Sequence, residues 1–598
     1  MRIWIGVAVI AVAVGCGKKK DGPKAQAEDK VEQPTPAPAK SSSSLWDLAP
    51  AGAVGGLVFN PGSLEKLYAG FDEARKIAGA DPVLGPLVDK LVVLSDGPPF
   101  DIFSLEATVR DGGVDPSLGF AVFFDAKGEP LLAALPVADM TKLEKFMGEP
   151  GEDIEGRRVF AAGDRMTCAV AGSRVVCAPD LTAVDASLEG GGSLIDGVPP
   201  RARGDVEVVY DFGKTPDVAA KLGAVIRNPG KLAVAVKLDG GVVAVNAHIA
   251  GQVAAPALAS RAPSLPVGEL DRDAVGLVRV HWDAAAALEL VPLPPALPLV
   301  PGFDARKDFL EQMSGEVVIA TMTGGDATLV VGIALRDSSA LKQALPALCK
   351  TAAQKIPQLN LEPAGDTCNA TFELPPIPDL PAGLVPTGPM RASFEVRSGA
   401  AWITAGDLRR PSGGIPNASA HTAAFRDTPA TVSAWGRSFD PFAAIGEESR
   451  AALDRLIADN TNAKQRAGVR AGRWIAAHIA EAGFSMSFDD TGASLSFVVA
   501  TFAADPKDVY AAYEAAVQKD LSGDYAGYRA AMKALATKPD TLAGAQAAIV
   551  ERGAPPIGAG TGILAAIAIP AFVKYTAKSE MADAFRQIKQ IYETVEPK

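Results

Sequence analysis

The chain is poor in the residues that most enzymes use for chemistry. Of 598 residues only four are histidines, His248, His281, His421 and His478, and aromatics make up 6%. No two histidines stand at an HxxxH or HExxH spacing, so the helical zinc-hydrolase pattern is excluded. His248 and His281 fall on expected strands and His478 on a helix, GRWIAAHIAEA, where packing or surface roles are expected. The nucleophile elbow GxSxG and the phosphate loop GxxxxGK[ST] are both missing. There are five cysteines and no CxxC, which leaves little for a metal site. Positive charge is also short: 58 Lys and Arg stand against 70 Asp and Glu, giving a net charge of −12 and a pI near 5.1. A nucleic-acid partner needs clustered cations to neutralise phosphates and is not expected. No cofactor is expected either.

What the chain does contain is Ala, Gly and Pro in quantity. Hydrophobic residues reach 48%, with 59 glycines and 46 prolines, so small-residue packing and many turns are expected. The length suits three or four domains.

Residues 1–16, MRIWIGVAVIAVAVGC, read as an export signal. Arg2 gives a positive start, Ile3 to Val14 an apolar core, and Ala13-Val14-Gly15-Cys16 a cleavage site. A membrane-spanning helix needs about 20 apolar residues, more than this run supplies. The tetrapeptide resembles the lipobox of bacterial lipoproteins, although that family usually carries Leu where Ala13 stands. The resemblance implies cleavage before Cys16, a lipid on its thiol and attachment to an envelope membrane; an ordinary secretory signal is the other reading. Residues 17–44 lack apolar periodicity and read as a tether with a reach of roughly 30 Å. Lys18-Lys19-Lys20 beside the lipid either favours anionic headgroups, at roughly 1 kcal/mol per charge, or simply solubilises the chain.

The four remaining cysteines fit an oxidising compartment. In TCAVAGSRVVC a two-residue turn at Gly172-Ser173 sets Cys168 opposite Cys177, a geometry that accepts a cross-strand disulfide. Cys349 and Cys368 form the second expected pair.

An internal repeat organises the body. Three segments begin at Gly119, Gly315 and Gly483, run strand, turn, strand, and end at Asp139, Asp337 and Asp505, separations of 20, 22 and 22 residues. Each Asp is placed to cap the amphipathic helix that follows, with apolar residues four and eight positions on: Leu143 and Met147, Leu341 and Leu345, Val509 and Tyr513. Capping outweighs acid chemistry or metal binding as the reason for these carboxylates. Strands beginning at Ala53, Ala274 and Ala430 are expected to open the copies as edges. The hairpin KLAVAVKLDGGVVAVNAHIAG, turning at Asp239-Gly240, is taken to extend the first copy. The resulting expectation is an α+β fold: three related units of mainly antiparallel sheet plus an Asp-capped helix, at 45–260, 261–420 and 421–550, followed by a helical tail at 551–598. The strand pattern with its D-x-x-x-L element is similar to a domain family of unknown function in exported bacterial proteins, a likeness that implies a fold and no catalytic residues.

Near the C-terminus stands GILAAIAIPAFVKYTAKSE, 562–580, behind a glycine-rich hinge at Gly558, Gly560 and Gly562. Its apolar residues Ile563, Leu564, Ile567, Ile569 and Phe572, with Pro570, Tyr575 and a following Lys578-Ser579-Glu580, resemble the N-terminal helix of type IV pilins. In that family the segment anchors the subunit in the inner membrane and later packs in the filament. Here it lies at the other end of the chain, without the peptidase recognition sequence or the family's acidic residue, so prepilin processing is not implied. Residues 557–575 are borderline for spanning a bilayer. Beyond them Met581, Phe585, Ile588, Tyr592 and Val595 form a stripe of coiled-coil spacing. Membrane or partner-helix insertion, docking on the chain's own body and filament incorporation all remain open for this tail.

The expected function is a non-catalytic lipoprotein of the bacterial envelope, lipid-anchored on the periplasmic side of a membrane or at the cell surface. It would bind or scaffold an unidentified protein partner, with pilus-like or secretion machinery as one setting. The alternative is an envelope hydrolase using carboxylates gathered from different repeats. The acidic pairs Asp489-Asp490 and Glu447-Glu448 are read as a hairpin turn and a first helical turn.

Overall fold

The computed structural model describes most of residues 44–552. Outside the description lie 1–43, 553–598 and, between them, chiefly 70–111, 255–264, 284–297, 373–388, 407–417, 438–454 and 456–473. Cys16, the tether and the tail from Ile563 to Phe572 are therefore not among the described residues.

The chain forms two compact units, one of residues 1–259 with 485–498, the other of 260–484 with 499–598. Both combine helices with antiparallel sheet, an α+β architecture. The first sheet is built from β1 (Gly55–Phe59), β2 (Phe120–Phe124), β3 (Pro130–Pro136), β4 (Glu152–Ile154), β5 (Arg157–Ala162), β6 (Met166–Ala171), β7 (Arg174–Ala178), β8 (Val206–Asp211), β9 (Lys231–Asp239) and β10 (Val242–Ala250). Its spatial order is β4-β5-β6-β7-β3-β2-β1-β8-β9-β10.

Ten later strands repeat the plan: β11 (Ala274–His281), β12 (Met313–Met322), β13 (Thr328–Leu335), β14 (Glu362–Ala364), β15 (Thr367–Phe372), β16 (Met390–Arg397), β17 (Ala400–Ala405), β18 (Val432–Arg437), β19 (Ile479–Asp489) and β20 (Gly492–Thr501). Their order is β14-β15-β16-β17-β13-β12-β11-β18-β19-β20. Each position matches that of the strand ten numbers lower.

Two expectations change. The opening strands are not edges: β1 is hydrogen-bonded to both β2 and β8, and β11 to both β12 and β18. An opening strand followed by a hairpin also occurs four times, where the Gly-to-Asp spacing marked three. The extra occurrence is β8 with β9 and β10. That hairpin turns on Gly240-Gly241, one residue later than expected, since Asp239 still pairs with Val242. No Asp-capped helix follows it among the described residues, so a rule that ends on such an Asp passes over it.

Local chemistry explains the hairpins. Ala171 pairs with Arg174 around Gly172-Ser173, and Arg397 pairs with Ala400 around Ser398-Gly399. Ser398 and Gly399 have φ of 51° and 72°, the left-handed pair of a tight hairpin turn, which matches the right-handed twist of the strands. Gly332 has a different reason to be glycine: a Cβ there would stand 2.7 Å from the Trp402 ring, which lies across β13.

Helix α1 (Met140–Met147) follows β3, α2 (Leu181–Leu188) follows β7, and α3 (Pro216–Leu222) lies between β8 and β9. Helix α4 (Ser339–Lys355) follows β13, and α5 (Lys507–Leu521), α6 (Tyr525–Leu535) and α7 (Leu542–Arg552) follow β20. Leu143 of α1 packs with Phe160, Cys168, Val175 and Cys177. Leu341, Leu345 and Cys349 of α4 pack with Cys368, Val396 and Ala401. Val509 and Tyr513 of α5 are likewise buried, so in α4 and α5 the four-residue spacing read from the sequence is the buried stripe of the helix. The other face of the first sheet packs Phe123, Leu132, Ala134 and Val176 under Trp46 of the turn Leu45–Leu48.

Candidate functional site

Both expected disulfides are present. Cys168 and Cys177 are directly opposed on β6 and β7, with Cα atoms 3.9 Å apart. Cys349 of α4 is bonded to Cys368 of β15 across 5.7 Å between Cα atoms.

The three aspartates do three different things. Asp139 accepts from the Lys142 amide at 3.1 Å, inside the first turn of α1. Asp337 stands one residue further from its helix: Ser338 caps α4 through its carbonyl, and Asp337 accepts from the Ser339 amide at 2.9 Å and hydroxyl at 2.7 Å. The Ser339 hydrogen bonds hold the Asp337 carboxyl below its ordinary range. Asp505 does not cap the helix that follows it. Its two oxygens accept from the amides of Leu542 and Ala543, each at 2.8 Å, in the first turn of α7. Pro506 takes the capping position of α5.

The charged residues that sequence reasoning passed over are inside. In the second unit Glu316, on β12, accepts from the Leu265 amide at 2.5 Å and from Arg279 Nη2 at 2.7 Å, with His281 Nε2 at 3.1 Å. His281 Nδ1 faces the Ala430 carbonyl at 2.7 Å. Burial pushes the Glu316 carboxyl up, but His281, Arg279 and the Leu265 amide outweigh it and hold the group at about 2. Glu481, on β19, accepts from the hydroxyls of Ser419 and Thr422 and from Arg437 Nε at 3.0 Å, while Trp435 Nε1 donates to Thr422. In the first unit Glu207 accepts from Trp46 Nε1 at 2.6 Å, Arg203 Nε at 2.9 Å and the Gly204 amide at 2.9 Å. Three fully enclosed glutamates thus tie the segment that precedes an opening strand, at Trp46, Leu265 and Ser419, to its sheet. The available sequence signal was parity: Arg279 and His281 stand at the inward positions of AVGLVRVH, alternating with valines.

Histidines do not gather into a catalytic group among the described residues. His248 lies against Arg201 and Ser494 Oγ, and burial with the neighbouring Arg201 charge lowers its pKa. His478 meets the Trp474 carbonyl and Glu514 Oε2 at 2.8 Å. Burial works to raise the Glu514 carboxyl, but the His478 contact leaves it lowered. Asp489 is also lowered: burial opposes, and hydrogen bonds from Thr491 prevail. Lys538 lowers Asp508. Every displaced carboxylate among the described residues is thus held as an anion.

The outward face is the unusual surface. Residues directly opposed on neighbouring strands share a face, so the ladder registers define rows. In the second unit the middle row is Ala434, Val278, Ile319, Val331 and Ile403, on β18, β11, β12, β13 and β17. One row away lie Val432, Val280, Val317, Ile333 and Ala401, and on the other side Gly436, Gly276, Thr321, Leu329 and Ala405. No charge interrupts this block, and Ile319 and Ile403 are 36% and 38% exposed. In the first unit the corresponding middle row is Val122, Leu57, Val208, Val234 and Ala247, with Phe120, Phe59, Val206, Val236 and Val245 beside it. Leu64 and Leu67 cover its β1–β2 end, while Val243 on β10 is 38% exposed. An antiparallel sheet with one wet face normally alternates apolar with polar residues. Here the buried face holds Glu207, Arg279, His281 and Glu316, and the central rows of the open face hold no charge.

Comparison with protein-family models, with curated proteins and with solved structures returned no match.

Proposed function

We propose that the protein is a non-catalytic lipoprotein of the bacterial envelope, anchored through lipid on Cys16 and held off the membrane by residues 17–44, that binds apolar segments of a partner protein on its open sheet faces. The four strand-plus-hairpin segments are read as one ancestral module, paired within each ten-strand set. The observation that carries the reading is the uncharged block of opposed Val, Leu and Ile residues on the outward face of both units. Contiguous apolar surface of several hundred Å² mostly marks a binding site. The net negative charge, with Lys18-Lys19-Lys20 beside the lipid site as the one run of cations, favours a protein partner over nucleic acid. Two disulfides suit a compartment outside the cytoplasm.

The test places a photoreactive amino acid at Val243, on the first unit's face, in intact cells. A discrete adduct with another protein is expected, and its loss when Val234 is replaced by Asp. If irradiation yields no adduct in a chain that is present and correctly disulfide-bonded, the binding reading fails. Membrane attachment is tested separately by Cys16→Ala, which should release the chain from the membrane fraction.

A further inference from the structure

We infer that the open face of the second unit is the docking site of the chain's own apolar segment, residues 562–573. The inference rests on the binding reading above and names what fills one of the two faces when no partner is bound. Three observations favour this occupant.

First, the pattern of covering is local and helical. At one end of the block Ile333 and Ala401 lie under α4, which contributes Leu341 and Leu345 at a spacing of four. The middle row beyond it, around Ile319 and Ile403, is left part-exposed. A second helix alongside α4 completes a layer of helices on the sheet, the arrangement that a two-layer α+β unit requires.

Second, size and charge agree. Five strands about 4.8 Å apart span about 19 Å. A helix over the twelve residues GILAAIAIPAFV is about 18 Å long and carries no charge. An uncharged helix loses no ion hydration on this face, whereas the lysine-bearing stretch that follows it, from Lys574, would.

Third, the connection is short and lies in the same unit. Helix α7 ends at Arg552 within the same unit, and only residues 553–561 separate it from the segment. Nine extended residues cover up to about 30 Å, comparable with the block itself.

The test uses the full chain carrying Cys16→Ala, with Ile319→Cys and Ile567→Cys introduced together and treated with a short bismaleimide. A crosslink within one molecule, joining the two peptides after proteolysis, is the expected result. A crosslink between two molecules would show that a second copy covers the face, and no crosslink in a chain with both native disulfides formed would show that the segment lies elsewhere; either overturns the inference. A second measurement needs no new cysteine. Deleting residues 553–598 should raise the binding of an apolar fluorescent dye several-fold while cooperative unfolding is retained, and unchanged dye binding overturns the inference. Neither outcome bears on the adduct at Val243, which tests the partner reading on the other unit.

Discussion

Arg279 Nη2 donates to Glu316 Oε1 at 2.7 Å, and both side chains are 2% exposed. An ion pair so enclosed is held by geometry, because its Coulombic gain is largely offset by desolvation. Removing one partner is the damaging change. Glu316→Ala leaves a guanidinium in the core and is expected to cost about 3–5 kcal/mol in denaturant unfolding. Replacing Arg279 and Glu316 together by Met and Leu should cost clearly less than Glu316→Ala alone. Equal losses would show that the pair contributes through packing only.

The same carboxylate sets an acid dependence. Glu316 ordinarily titrates near 4.5 and is held at about 2 in the fold. A lowered carboxylate contributes stability that is complete above the unfolded value and fades as pH falls through the folded one. The span corresponds to about 3 kcal/mol, lost between about pH 5 and pH 2. Unfolding midpoints measured across this window should fall in the wild type and fall less in Glu316→Gln, which is already destabilised at neutral pH. Parallel curves for the two proteins would rule out Glu316 as the titrating group.

These two predictions concern residues that the sequence displayed without disclosing. The hairpins, the disulfides and the buried stripes of the helices were legible because each is local: a two-residue turn fixes its register, and a four-residue spacing fixes a helix face. The pairing of β1 with β8, and of β11 with β18, joins residues far apart in the chain, and nothing local encodes it. That pairing is why the opening strands looked like edges and why four occurrences looked like three. Glu316 was invisible for a related reason, since its partners Leu265, Arg279 and His281 come from two other segments. The open apolar face needed both kinds of information: strands apolar at both parities, such as TLVVGIAL, and the registers that set them side by side.

The disulfides should separate by loop length. Cys168 and Cys177 are nine residues apart, and Cys349 and Cys368 nineteen. Chain entropy assigns each about 3 kcal/mol, slightly more to the longer loop. The shorter one joins strands that the ladder already holds, whereas the longer one fastens α4 to β15. Replacing Cys349 and Cys368 by Ala should therefore lower the unfolding midpoint more than replacing Cys168 and Cys177, and should loosen protease protection around residues 339–355. Mass spectrometry without reduction gives the prior check that both pairs exist in the isolated protein.

Asp505 provides the sharpest test of a long-range contact. Its carboxylate takes the amides of Leu542 and Ala543, two of the donors that a helix start leaves unpaired, while Thr541 takes the Gly544 amide. The helix that follows Asp505 does not depend on it, because Val509 and Tyr510 donate to the Pro506 carbonyl. Asp505→Ala should cost about 0.5–2 kcal/mol, the usual loss on removing a capping side chain. The diagnostic is where protection is lost. Hydrogen exchange should accelerate at residues 542–544 and stay unchanged at 507–510; acceleration at 507–510 instead would return Asp505 to the role its position before Pro506 first suggested.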